Sequence, residues 1–262
     1  MNFDITPLLD GWDYRPGEIS VRKFTTKEGT EKIQLRVDLG LLQMHAAGRP
    51  DGKRPFGRES LLQYHQTRLD KHAAEHDGSG DGFALSADDC SKLLQELIQY
   101  HHRYICLFQL RDYEGVIRDT NRNLQVFEFV AEHATTEEMA WSIQQFAPQL
   151  LMMQTRARGS AALEKKDIPG AIESITQGIE AIRQFYRDLS KPDIAEQSGE
   201  IQSLENWVKE LQEKADSREP ERNLTPREKL ENAINDAVRR EDYESAARFR
   251  DTLRNINTPS DK

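Results

Sequence analysis

Asp77-Gly78-Ser79-Gly80-Asp81-Gly82, with Asp88 at the twelfth position, is the stretch of this sequence closest to metal-binding chemistry. Oxygen donors at positions 1, 3, 5 and 12 around a glycine at 6 outline a calcium loop. Position 12, however, carries aspartate where the longer bidentate glutamate belongs, position 8 is only Ala84, and no partner loop follows. The segment therefore reads first as a glycine-rich connector, with Asp77, Ser79, Asp81 and Asp88 as a secondary calcium alternative. His65, His72 and His76 recur along one helix face, but a zinc site needs a third ligand that the pattern does not supply. They read as partly exposed polar histidines. Arg49, Lys53, Arg54 and Arg58 fall in GRPDGKRPFGR (48–58), where three glycines and two prolines forbid regular structure. Four cations on one loop suit either a solvated connector or an anion-binding loop, and the connector is the first reading. No GxSxG elbow, GxGxxG turn or GxxxxGK phosphate loop occurs, and Cys90 and Cys106 stand without a CxxC pair. No catalytic residue, cofactor or resident metal is expected.

The elements that carry these residues change character along the chain. From Ile19 to Met44 the period is two: Ile33, Leu35, Val37 and Leu39 alternate with polar neighbours, and Lys27-Glu28-Gly29-Thr30 separates them from Val21 and Phe24. That predicts a β-hairpin. After residue 58 the period becomes helical. Leu61, Leu62, His65 and Leu69 mark a first helix. Ser86 with Asp89 resembles a capping box ahead of a face formed by Leu93, Leu94, Leu97, Ile98, Ile105 and Phe108. Further helices are predicted near 113–132, 136–165, 169–189 and 198–215. In the last, Ile201, Leu204, Val208 and Leu211 suit either a short coiled-coil contact or simple packing.

Composition limits the partners. The chain has 262 residues, 37% of them hydrophobic, and a net charge of −9. Its acidity is concentrated in residues 73–217, with fourteen cations against twenty-five anions, whereas residues 15–72 carry +5 and residues 218–262 balance at zero. Duplex DNA requires a concentrated basic surface, so nucleic acid is disfavoured outside the 49–58 loop. The longest apolar runs are far below the roughly 20 residues of a membrane helix. Acidic residues in MNFDITPLLDGWD stand where a secretion signal needs basic ones, so a cytoplasmic protein without a membrane partner is expected.

One element recurs. Arg111-Asp112-Tyr113-Glu114-Gly115-Val116, Lys166-Asp167-Ile168-Pro169-Gly170-Ala171 and Glu241-Asp242-Tyr243-Glu244-Ser245-Ala246 each place an aspartate between two helical stretches. The aspartate is suited to cap the second helix, the large residue to anchor the turn, and the small one to let helices approach. Gly159, Ala162, Asp167, Ile168, Ala171 and Ile175 stand at offsets that resemble half of a tetratricopeptide repeat. The spacing between copies is too irregular for a solenoid.

The third copy lies within TPREKLENAINDAVRREDYESAARFRDTLRNI, residues 225–256. Thr225, Pro226 and Glu228 form a helix-start signature. Leu230, Ala233, Ile234, Ala237 and Val238 line a first helix. The order Asp242, Tyr243, Glu244, Ala246, Ala247, Phe249, Arg250, Asp251, Leu253 resembles the UVR motif, a helical hairpin shared by UvrB and UvrC. The resemblance implies docking onto another such hairpin, in excision repair or beside Clp-type chaperone ATPases. Its contacts would be Leu230, Ile234, Tyr243, Ala246, Ala247, Phe249 and Leu253, with Arg250 and Asp251 as orienting charges. Neither the phosphate loop of UvrB nor the cysteine pairs of zinc-bearing UVR regulators are present. Size argues independently for docking, because a hairpin of about 32 residues is too small to hold a core alone.

The expected protein is α+β and mostly α-helical. Residues 1–58 form a β-hairpin region and basic loop, 59–215 a tetratricopeptide-like helical bundle, 216–224 a linker and 225–258 a UVR-like hairpin. The expected function is a non-enzymatic adaptor whose partner is a protein, another UVR-like or helical surface or a second copy of itself. Alternatives are a nucleic-acid-associated protein using Arg49 to Arg58 and an enzyme without a recognisable motif.

Overall fold

A computed structural model describes residues 4–216, 226–239 and 242–256. Two compact units divide the chain, residues 1–212 and residues 213–262.

The first unit opens with a single turn, α1 (Thr6–Leu9), and a sheet of β1 (Val21–Thr25), β2 (Glu31–Val37) and β3 (Gly40–His45). The order is β1-β2-β3, antiparallel throughout. The expected hairpin is thus a three-stranded meander. Leu39, which fits the period-two run, sits at the tip of a second tight turn where Val37 pairs with Gly40, and it is 92% exposed. Alternation continued through a turn that carries no glycine or proline at its tip, so a single strand was expected where two occur. Ile33 sits between Lys23 and Met44 and is fully buried.

Helices follow: α2 (Leu61–Glu75), α3 (Ala87–Gln109), α4 (Tyr113–His133), α5 (Glu137–Gln144), α6 (Ala147–Glu164), α7 (Ile168–Asp188), α8 (Pro192–Glu196) and α9 (Gly199–Asp216). The Ser86/Asp89 capping box forms as expected. The long helix expected over 136–165 is two, α5 and α6. Pro148 lies in the first turn of α6, where a missing N–H is tolerated, and a helix running through it would lose a backbone hydrogen bond. One core gathers Leu93, Leu97, Leu107, Val116, Val126, Val130, Ile143 and Leu150, and a second gathers Ala171, Ile175, Ile182, Ile201, Leu204 and Leu211. The α9 residues therefore pack on α7 within the unit. Gly159 of α6 lets α9 approach as well: a Cβ there would come within 2.7 Å of the Trp207 ring.

The recurring junction has one geometry. The N–H of Asp112, Asp167 and Asp242 donates to the carbonyl five residues back, Leu107, Ala162 and Ala237, at 2.9, 3.0 and 2.9 Å. The carboxylates of the same aspartates accept from the N–H groups of Gly115, Gly170 and Ser245 at 2.9, 2.9 and 3.1 Å. One residue thus closes the preceding helix and caps the following one. Arg111 and Lys166 adopt φ of 61° and 62° to make the turn. Asp112→Ala is expected to cost about 1 kcal/mol, read as a lower urea midpoint with an unchanged slope.

The sheet is tied to the bundle by ions that the hydrophobic pattern does not reveal. Glu96 of α3 is fully buried and accepts from Arg49 Nε at 2.7 Å and from the Leu61 N–H at 2.9 Å, and it pairs with Arg122 of α4. Arg103, 1% exposed, makes a two-pronged pair with Asp119 at 2.6 and 2.8 Å. Its remaining donors reach the carbonyls of His45 and Gly48 at 3.0 and 2.7 Å, and Arg118 reaches Ala46 O at 3.1 Å. The end of β3 and the loop after it are thus held to α3 and α4 by charge-assisted bonds beside the apolar contacts of Met44 and Ala46 in the first core.

Candidate docking site

The second unit contains α10 (Pro226–Arg239) and α11 (Tyr243–Ile256), joined by the Asp242 junction. On α10, Leu230, Ala233 and Ile234 are half-buried and Ala237 is buried, at spacings that share one helix face. On α11, Phe249 and Leu253 are half-buried one turn apart, whereas Ala247 and Arg250 are exposed. Ala237 alone is buried among the described side chains of the hairpin; the larger Leu230, Ile234, Phe249 and Leu253 remain partly open. Such a face gains free energy when covered, at roughly 25 cal/mol per Å2 of apolar surface. The side chains of Tyr243, Ala246 and Asp251 lie outside the described residues, as do linker residues 217–224, Thr225, the side chain of Glu228 and residues 240–241.

The other expected sites fare differently. Arg49 is no surface cation: its side chain is 11% exposed and engaged by Asp51 at 2.6 Å and by Glu96. Long-range burial against α3, invisible in a loop sequence, withdraws it from any anion. Lys53, Arg54 and Arg58 remain exposed. Along the glycine-rich loop, Ser79 Oγ accepts from the Asp81 N–H at 3.0 Å and Asp88 pairs with Lys92 in the first turns of α3. Among the described residues, no group of three or more His, Cys, Asp or Glu converges as for a metal ion. His65 is buried, 1% exposed, and not a partly exposed residue as its polarity suggested; His72 and His76 stack at 4.1 Å.

Titratable groups in the bundle are shifted by burial. The Cys106 thiol is pushed up to about 12, which keeps it from forming a thiolate near neutrality. Burial lowers His65, His101 and His102 below the ordinary 6.5, with Asp89 partly opposing the shift at His65 and His102 adding to it at His101. A base with a lowered native pKa stays neutral in the fold but protonates when unfolded, so stability falls as pH drops below about 6.5. The unfolding midpoint at pH about 5.5 is expected to lie several degrees below that at about 7.5. Thermal scans across that range check this, and His65→Gln should flatten the slope if it remains folded.

A groove of about 330 Å3 opens between α3, α4 and the start of α6, lined by Leu94, Ile98, Tyr104, Phe127, Phe146 and Leu150. Ile98 and Phe146 are 46% and 47% exposed there. Among the described residues, no helix is long and apolar enough to cross a membrane.

No curated protein and no solved structure matches the chain. The tetratricopeptide resemblance accordingly stays a likeness of residues at one helical hairpin, α6–α7. The family model of the UvrB/uvrC motif matches residues 227–258, which spans both α10 and α11. The chain is thus a protein that carries a UvrB/uvrC motif, folded as a helical hairpin, as its C-terminal element.

Proposed function

We propose that this chain is a non-enzymatic adaptor or regulator that docks a helical protein partner through the hairpin of α10 and α11. The observation that carries the reading is the motif match on a small unit in which the described side chains of Leu230, Ile234, Phe249 and Leu253 are only half covered. Phe249 and Leu253 are the apolar anchors, Leu230 and Ile234 extend the surface, and Arg250 orients the partner from the edge. Ala247 is small and exposed, which lets a second helix approach closely. The charge balance of residues 218–262 supports contact with another helical hairpin, because neither sign dominates the approach. The partner is a helical surface, with a motif of the same kind or a second copy of this chain as the first candidates. By resemblance, the setting is excision repair or Clp-type protein quality control in the cytoplasm. A photocrosslinking residue placed at Arg250 of the full chain tests the reading. Covalent capture of one helical partner, absent when the same residue replaces Lys209 on α9, supports it; equal capture from both positions contradicts it.

A further inference from the structure

Phe56 occupies an unusual position. It lies in the single 3-10 turn Pro55–Gly57 at φ 52° and ψ 28°, a conformation that disfavours a bulky side chain. Backbone strain of this kind persists where surrounding structure imposes it and concentrates at functional sites. The residue is 67% exposed, yet its ring is stacked on Tyr64 of α2, with centroids 4.1 Å apart and planes inclined by 20°. The Arg68 guanidinium lies 5.9 Å from the Tyr64 ring on the same helix. The loop beneath is anchored: Arg49 is bound to Asp51 and Glu96, Asp51 accepts from the Lys53 N–H at 2.9 Å, and Arg103 holds Gly48 O. Lys53, Arg54 and Arg58 are exposed and stand within three residues of Phe56 along the same loop. Arg54 meets Glu59 at 3.5 Å in a largely exposed pair that costs little to open, and among the described residues Lys53 and Arg58 make no ion pair.

We propose that this loop binds single-stranded nucleic acid. One base stacks on the outer face of Phe56, with Tyr64 supporting that ring from below, while Lys53, Arg54 and Arg58 pair with the flanking phosphates. Stacking tolerates any base because every base has a π face, and cations beside an aromatic platform track the backbone. A duplex hides its base faces, and three cations on a chain of net charge −9 are too few to hold one through phosphates alone. The single strand is the polyanion that uses the ring and the cations together.

The test is fluorescence anisotropy with a labelled oligothymidylate of about 12 nucleotides and the full chain. Phe56→Gly removes the ring and relaxes the left-handed backbone, so the fold is retained and the thermal midpoint does not fall. This variant is expected to weaken binding by about 5- to 100-fold, Phe56→Trp to preserve it, and Lys53→Ala with Arg58→Ala to reduce the salt dependence. A duplex of the same length and poly-glutamate should bind more weakly than the single strand. The proposal is overturned by absence of binding, by unchanged affinity in Phe56→Gly, or by duplex or poly-glutamate binding as tightly as the single strand.

Discussion

Glu96→Ala is expected to bring residues 1–212 close to unfolding at ambient temperature. The carboxylate is fully buried and serves two arginines and one backbone N–H. Removing it leaves Arg122 buried without its counterion, and burial together with the neighbouring Arg49 cation already holds the Arg122 guanidinium below its ordinary range. Breaking a buried pair in this way costs about 3–5 kcal/mol. A domain holds only about 5–15 kcal/mol in total, so the loss is a large share. Desolvation and not attraction sets the size of the effect, which a second variant separates: Glu96→Leu combined with Arg122→Met removes the Glu96–Arg122 pair, leaves Arg49 with its second partner Asp51, and should recover part of the loss. Urea titrations of the three proteins measure this. Equal destabilisation by the single and double replacements would show that the cost does not lie in the orphaned Arg122.

The second large effect concerns docking. Phe249→Ala in the full chain is expected to weaken partner binding by about 30-fold or more, the loss associated with an aromatic anchor at the centre of an interface. Phe249 is half-buried in the hairpin, so part of the loss could reflect a looser hairpin. Ala247→Glu controls for this, because Ala247 is exposed and its replacement burdens the approaching partner, not the hairpin's own contacts. Both variants should leave the thermal unfolding of residues 1–212 unchanged, since that unit has its own cores. Titration calorimetry with the captured partner reads the affinities. Wild-type affinity in both would remove this face from the interface.

What the sequence showed and what it hid follow from the range of the interactions. The capping aspartates at 112, 167 and 242 were legible because each acts within six residues. The C-terminal motif was legible for the same reason, since its match closes within residues 227–258. Leu39 misled because alternation reports which face a side chain would take in a strand and says nothing about where the strand stops; β2 ends at Val37. Glu96 and Arg103 sit among the apolar residues of α3, but charge reads as surface unless the partner is known, and their partners lie 47 and 16 residues away in sequence. The same distance hid the fate of Arg49. Phe56 is not marked in the sequence, because a positive φ and a stacked neighbour leave no periodic trace.

Docking through the hairpin is tested by quantitative affinity capture with the intact chain and with a chain ending at Asp216, where α9 ends. The shorter chain keeps all of residues 1–212. A defined helical partner is expected to be captured by the intact chain and lost from the shorter one, with Phe249→Ala in the intact chain reproducing the loss. An unchanged set of partners after removal of residues 217–262 would contradict it.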